Sequence, residues 1–341
     1  MKFIRVPKDK GERIRRQLID GNVFVQGYKV ITDGEFLLFP VNISSWDDYE
    51  IVELDAEKLP EKYFRLKDLL AKHLSESELD ELTTSYDIVG DIIIAEIPEE
   101  LEEKEKLIAD ALLKVNSAAK VVTKKLGPME GEYRIRRLKV IAGENRTETT
   151  YKEHGCSMKL DVGTVYFSVR LGTERKRIAE LVQSGEKILA LFAGVGPFPL
   201  VISKMHPDAE IIAIELNPEA VRYMEENLKL NKMHNIKPVL GDAREIVLKD
   251  YQNFADRVLM PLPKTAEQFL DVAFSGVKNG GIIHLYTFDN SDSESREAEE
   301  RVLEIAKKNG VSVEILSKRV VRPYAPGTVQ VVLDLKVGKS G

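Results

Sequence analysis

Apolar positions recur along this chain with two periods. From about residue 155 onward, short apolar runs alternate with stretches in which apolar residues return every three or four positions. The first pattern is that of buried strands, the second that of amphipathic helices. Together they predict strands at 158–162, 164–167, 187–191, 210–215, 236–240, 256–260, 281–287, 312–321 and 328–337. Helices are predicted at 173–184, 197–205, 217–231, 264–276 and 294–309. Strands separated by helices require right-handed crossovers and a mostly parallel sheet covered on both faces. The last two strands have only Pro323-Tyr-Ala-Pro-Gly327 between them, so an antiparallel hairpin is expected at one end of the sheet.

Ahead of residue 155 the pattern is finer-grained. Gly11–Leu18 reads as a short amphipathic helix, and Tyr28–Ile43 as two strands broken at Thr32-Asp-Gly-Glu35. Pro60–Leu70 reads as a linker. Helices follow at Leu66–His73 and Glu76–Leu82, then a strand at Ile88–Ile97 split by Gly90-Asp91. A helix at Glu99–Val115 leads to basic strands near Lys120–Lys125 and Tyr133–Val140. The reading is a small α+β domain at 1–57, a linker at 58–70, a second α+β domain at 71–154 and an α/β domain at 155–341.

The densest chemistry lies at the strand ends of the last domain. The run Lys187-Ile-Leu-Ala-Leu-Phe-Ala-Gly-Val-Gly-Pro-Phe198 is a strand that turns sharply into a helix. Gly194 and Gly196 let backbone approach a ligand, and Pro197 suits a first helical turn. The next strand ends in Glu215, a carboxylate suited to a ribose diol, and the third ends in Gly241-Asp-Ala-Arg244. A dinucleotide fingerprint is disfavoured because Pro199 stands where its third glycine belongs, and no P-loop motif occurs. The combination suits S-adenosylmethionine; a generic tight turn and a capped helix start are the plainer alternatives. Ligands of such sheets bind at the carboxyl ends of the strands, which gathers Gly194, Glu215, Asp242 and Met260-Pro-Leu-Pro263 around one crevice.

Composition narrows the setting. A hydrophobic fraction of 43% over 341 residues supports a real core, and no apolar run is long enough to span a membrane. Cys156 is the single cysteine and the start lacks a signal-peptide apolar region, so a cytoplasmic protein without an intrachain disulfide is expected. The histidines at 73, 154, 206, 234 and 284 have no ligand spacing, and no metal is implied. Net charge is −6, yet residues 1–16 and 120–139 each hold seven basic residues against two acidic ones. Such segregation is compatible with RNA contacts by selected faces, or with ordinary solvated faces.

These motifs, taken in order, resemble the archaeal and eukaryotic type of tRNA (guanine37-N1)-methyltransferase over nearly the whole chain. The resemblance rests on Ser85-Tyr-Asp-Ile-Val-Gly-Asp91, Gly131-Glu-Tyr-Arg-Ile-Arg136, Gly143-Glu-Asn-Arg-Thr147, Tyr166 through Arg175, Phe192 through Phe198 and Tyr324-Ala-Pro326. It implies a Rossmann-like class I methyltransferase sheet behind two small α+β domains, and methyl transfer to N1 of the guanine 3′ of the anticodon. It also implies tRNA as partner, read partly through the N-terminal domain, and a monomer is expected.

Residue roles carried over by the resemblance are these. Glu174 is the general base for the N1 proton, and Arg134 the guanidinium aimed at O6. Arg175 lies near the methionine end of the cofactor, Glu215 and Leu216 at the ribose, Asp242 and Ala243 at the adenine. Phe192, Gly194 and Gly196 line the floor, and Pro261 belongs to the cofactor site. Without the resemblance, Glu174 reads as a carboxylate in the first turn of a helix, and Arg134 as a phosphate contact or solvated strand residue. The chain departs from the pattern at Ala190, usually acidic, at Val169, usually Pro, and at Pro261, usually Asn, where proline brings neither a side-chain donor nor an N–H. Alternatives are the wyosine-pathway aminocarboxypropyltransferase, a bifunctional wyosine-intermediate methyltransferase, and a non-catalytic tRNA-binding protein.

Overall fold

The computed structural model describes residues 1–25, 27–56, 58, 65–292 and 295–339. Part of the predicted linker, residues 59–64 with Pro60, lies outside the described residues. The chain divides into two units: Met1–Asp87, Ile92–Lys125 and Lys139–Arg146 form the first, and Ile88–Asp91, Leu126–Leu138 and Thr147–Gly341 the second.

The chain begins with β1 (Lys2–Pro7), α1 (Gly11–Asp20), β2 (Ile31–Asp33), β3 (Phe36–Val41) and β4 (Ile51–Glu53). Their sheet has the order β2-β3-β1-β4, with antiparallel pairs throughout. The basic start of the chain is thus partly a central strand, which the sequence reading missed. Ile4 and Val6 of β1 pack with Ile14 and Leu18 of α1 and Phe39 of β3, while Arg5 pairs with Asp33 and Glu50 outside. Next come α2 (Leu66–Leu70), α3 (Glu76–Glu81), β5 (Asp87–Val89), β6 (Ile92–Ala95) and α4 (Glu105–Val115). Then β7 (Val121–Glu130) and β8 (Ile135–Gly143) complete a sheet of order β5-β6-β7-β8. Leu70, Ile108 and Leu112 of the helices cover Ile93 and Val122 of this sheet.

The long segment of the second unit, from Thr147, opens with a hairpin of β9 (Glu148–Glu153) and β10 (Cys156–Asp161). The expected strand at 164–167 is instead a turn, because Thr164 and Val165 both donate their N–H to Asp161 O. An alternating series follows: α5 (Gly172–Leu181), β11 (Lys187–Leu191), α6 (Pro197–Met205), β12 (Glu210–Glu215), α7 (Pro218–Asn231) and β13 (Ile236–Leu240). It continues through α8 (Ala243–Asp250), β14 (Ala255–Met260), α9 (Leu270–Gly276), β15 (Val277–Asn290), α10 (Glu297–Lys308), β16 (Val311–Ala325) and β17 (Thr328–Lys339).

The seven strands have the order β13-β12-β11-β14-β15-β17-β16. The first five are parallel; β15–β17 and β16–β17 are the antiparallel pairs expected of the final hairpin. Alternation along β11 sends Ile188 and Ala190 into one core with α5, α6 and α7, and Leu189 and Leu191 into another with α8, α9 and α10. Ala190, at the position where an acidic residue is usual, is therefore buried packing against apolar neighbours. Among the described residues no helix is long and apolar enough to cross a membrane.

Candidate active site

Strand order reverses between β11 and β14, and the crevice outside the strand ends at such a point is where open parallel sheets bind ligands. A cavity of about 660 Å³ lies there. Its floor is the β11–α6 loop, where Phe192 (φ +57°), Gly194 (φ +57°) and Gly196 (φ +86°) all take left-handed backbone. That conformation is unusual for a bulky residue. Phe192 is held in it edge-on against Phe269, with ring centroids 4.9 Å apart. Gly194 lines the cavity. Gly196 does not; a Cβ there would stand 2.9 Å from Met224 Cγ, so this glycine serves the close packing of α6 against α7.

Glu215 ends β12 beside this loop. Its Oε2 accepts from the Gly194 N–H at 2.8 Å, and Oε1 from the Leu216 and Asn217 N–H groups at 2.9 and 2.8 Å. Burial pushes the carboxyl pKa up, against the opposing pull of these three donors. A carboxylate offers about four acceptor positions, so three are filled and one is left for a hydroxyl donor. Asn217, unassigned in the sequence reading, caps α7 by accepting from Glu219 N–H and donates to Thr164 O, both at 3.0 Å. The signal was present in the sequence: Asn directly before Pro218 is a helix start.

Asp242 caps α8, its Oδ1 accepting from the Arg244 N–H at 2.6 Å. Ala243, Leu216, Leu262 and Phe269 make the apolar walls around it, with Pro261 alongside. A half-buried acceptor for a hydroxyl, apolar walls and a second carboxylate beside them fit the ribose and adenine of S-adenosylmethionine.

The cavity is also lined by the turn Gly131–Arg134 that joins β7 to β8. Arg134 has φ +53° and donates its N–H back to Gly131 O at 3.2 Å, which fixes the turn. Its guanidinium lies 5.8 Å from the ring centroid of Tyr166, a lining residue the sequence reading quoted without a role. Arg175 is buried and lines the cavity, forked on Glu153 of β9 and donating to Ser168 O at 3.1 Å. It thereby pins the segment after Tyr166 to the hairpin.

Glu174 is not among the residues lining the cavity. Its Oε2 accepts from Arg177 Nε at 2.9 Å and Tyr286 OH at 3.2 Å, and Oε1 lies 3.7 Å from Arg319. Burial holds the Tyr286 hydroxyl pKa well above its usual value, so it stays a donor. Arg177 also donates to Asp334 of β17 at 2.7 Å. The structure thus brings together Arg134, Arg175, Phe192, Gly194, Glu215, Leu216, Asp242, Ala243 and Pro261, and leaves Glu174 and Gly196 behind the wall.

The chain has relatives among known proteins. Residues 149–314 match the TRM5/TYW2 methyltransferase domain, 66–147 the TYW2 N-terminal domain, and 4–50 the tRNA methyltransferase 5 N-terminal domain. The chain is 43% identical over 335 residues to the tRNA (guanine(37)-N(1))-methyltransferase Trm5b of Pyrococcus abyssi, covering 98% of each chain. Its fold matches the solved complex of aTrm5 with tRNALeu at a TM-score of 0.72 and 35% identity, over 98% of this chain and 99% of that one. It matches Methanocaldococcus jannaschii Trm5 in complex with adenosine at a TM-score of 0.67 and 34% identity, over the whole of both chains. Three matches in the same order as the sequence motifs, and a relative aligned from end to end, lead to one conclusion: the chain belongs to the TRM5/TYW2 methyltransferase family.

Proposed function

We propose that the protein methylates N1 of guanosine 37 of tRNA, next to the anticodon. The observation that carries this is a single cavity that joins a ribose-and-adenine slot to Arg134 and Tyr166. S-adenosylmethionine supplies the methyl group when bound, held by Glu215 at the ribose, Asp242 and Ala243 at the adenine, and the Phe192–Gly194 floor. A cytoplasmic monomer is part of the same reading.

Guanine N1 carries a proton and becomes nucleophilic once that proton leaves. Arg134 donates to O6, where negative charge develops as N1 is deprotonated. Glu174 takes the proton on its carboxylate. To do so it gives up Arg177 and Tyr286 and turns out of the first turn of α5 toward the cavity that its neighbour Arg175 lines.

Incubating tRNA with protein and S-adenosylmethionine, followed by nucleoside mass spectrometry, tests the activity: a methyl adduct at guanosine 37 is expected, and an aminocarboxypropyl adduct would assign the wyosine reaction instead. Glu174→Gln keeps the shape and removes the basicity. Its single-turnover rate should fall about 10²–10⁴-fold while cofactor binding stays near that of the parent protein. Glu132, a carboxylate on the turn that does line the cavity, is the control. Loss of rate in Glu132→Gln and not in Glu174→Gln would move the base to the turn and return Glu174 to a structural role.

A further inference from the structure

We propose that the edge of the large sheet, from Arg319 to Tyr324 on β16, seats the single-stranded nucleotide next to the target guanosine. Tyr324 stacks on its base while Arg319 and Arg322 hold the adjoining phosphates. The inference rests on the tRNA reading above and deepens it, by locating RNA that lies beyond the reacting base.

β16 is an outermost strand, with β17 as its one neighbour in the sheet. In a regular strand, residues 319 and 322 point to opposite faces. Here they do not. The register shifts between Val320 and Arg322 and again between Pro323 and Ala325. Arg319 stands opposite Val332, and Arg322 opposite Gln330; these two β17 residues alternate onto the same face. Arg319 on that face approaches Glu174 of α5, and Arg322 Nε donates to Gln330 Oε1 at 2.8 Å. Tyr324 joins them: its ring lies 4.3 Å from that of Phe288, whose partner on β17 is also Gln330. Bulges of this kind re-aim side chains beside functional sites.

Three further facts fit a nucleotide. Tyr324 lines the cavity and is still 55% exposed, so one stacking surface sits at the rim where RNA enters. The Arg319 side chain is 52% exposed, and its carboxylate neighbour, Glu174, is 3.7 Å away and already held by Arg177 and Tyr286. Arg322 is bonded to a neutral amide, so its positive charge is not spent on that partner. Exposed aromatic rings interleaved with guanidinium groups are the common composition of single-strand binding tracks. Charge on a sheet edge also deters strand pairing, but that purpose requires neither a shared face nor an aromatic ring at the cavity mouth.

The test uses the intact protein and full-length tRNA transcripts, with binding measured at several salt concentrations and S-adenosylmethionine affinity measured alongside. Tyr324→Ala should weaken tRNA binding roughly 10- to 100-fold, Tyr324→Phe should restore it, and cofactor affinity should not change. Arg319→Gln and Arg322→Gln should each lower the salt slope by about one. Transcripts with an abasic site 5′ or 3′ of the target guanosine complete a double-mutant cycle. The parent protein should lose the same factor on one of them, and Tyr324→Ala should lose nothing further on that transcript. Full tRNA affinity in Tyr324→Ala, or an undiminished abasic penalty on both transcripts, overturns the seat. So does an equal loss of cofactor affinity, which makes Tyr324 part of the cavity wall only. Parent protein that binds tRNA without methylating it would sink the functional reading and leave these binding comparisons intact.

Discussion

At the scale of single residues, Glu215 does three things at once. It ties the β11–α6 loop to β12 through Gly194, turns the chain into α7 through Leu216 and Asn217, and keeps one acceptor position free, which the proposed function gives to the ribose hydroxyl. Glu215→Ala should therefore weaken S-adenosylmethionine binding by about 1–3 kcal/mol, the range for a hydrogen bond to a charged group. Calorimetric titration reads this directly, and unchanged affinity would remove Glu215 from the ribose. Glu215 and Asp242 were legible as chemistry because each ends an apolar run just before a helix start. The direction of Glu174 was not legible. A residue in the first turn of a helix faces whatever the neighbouring strands supply, and here they supply Tyr286 and, through Arg177, Asp334.

At the scale of elements, a buried chain of charges ties α5 to the sheet. Arg177 of α5 bonds Asp334 of β17, which bonds His284 Nδ1 of β15 at 2.6 Å, and His284 Nε2 meets Arg257 Nη1 of β14 at 2.6 Å. Burial and the adjacent guanidinium of Arg257 lower the imidazole pKa, so the ring is neutral, donating at Nδ1 and accepting at Nε2. Burial alone would raise the Asp334 carboxyl pKa; the hydrogen bonds from His284 and Arg177 override it and hold the pKa far below its usual value. Both groups bind protons more readily in the unfolded chain, so their contribution is full at neutral pH and is lost on acidification. The loss begins as pH falls through about 6.5, the unfolded histidine value, and deepens below about 4, the unfolded carboxyl value. Asp334→Ala, which takes one of the two carboxylates from Arg177 and the acceptor from His284 Nδ1–H, should cost about 3–5 kcal/mol at neutral pH and flatten this acid limb. Urea unfolding of both proteins between neutral pH and about 4 checks it; parallel pH curves would place the acid sensitivity in other groups.

At the scale of the whole molecule, residues 4–51 contain a hydrophobic core of their own, with basic residues on the outside. Deleting residues 1–57 should raise KM for full-length tRNA more than it alters cofactor affinity, and should reduce the salt dependence of binding. Steady-state kinetics on full tRNA and on an anticodon stem-loop check this, and equal effects on both would give the segment another role. The sequence by itself determined the alternating sheet domain: β11, β12, β13 and α6 begin and end where the apolar periods do, because buried parallel strands read as unbroken apolar runs. It also marked the strand ends to which the proposed function assigns the cofactor. Strand β1, short and interrupted by Lys2 and Arg5, and the polar strand β9 were hidden, since their pairing partners lie far away or carry the apolar half of the pattern. Only the tertiary structure decided that 164–167 turns rather than extends, and that Glu174 faces a buried ion network. It alone put Arg319, Arg322 and Tyr324 on one face, because that placement depends on bulges set by pairing with β17 and not on any period in the chain.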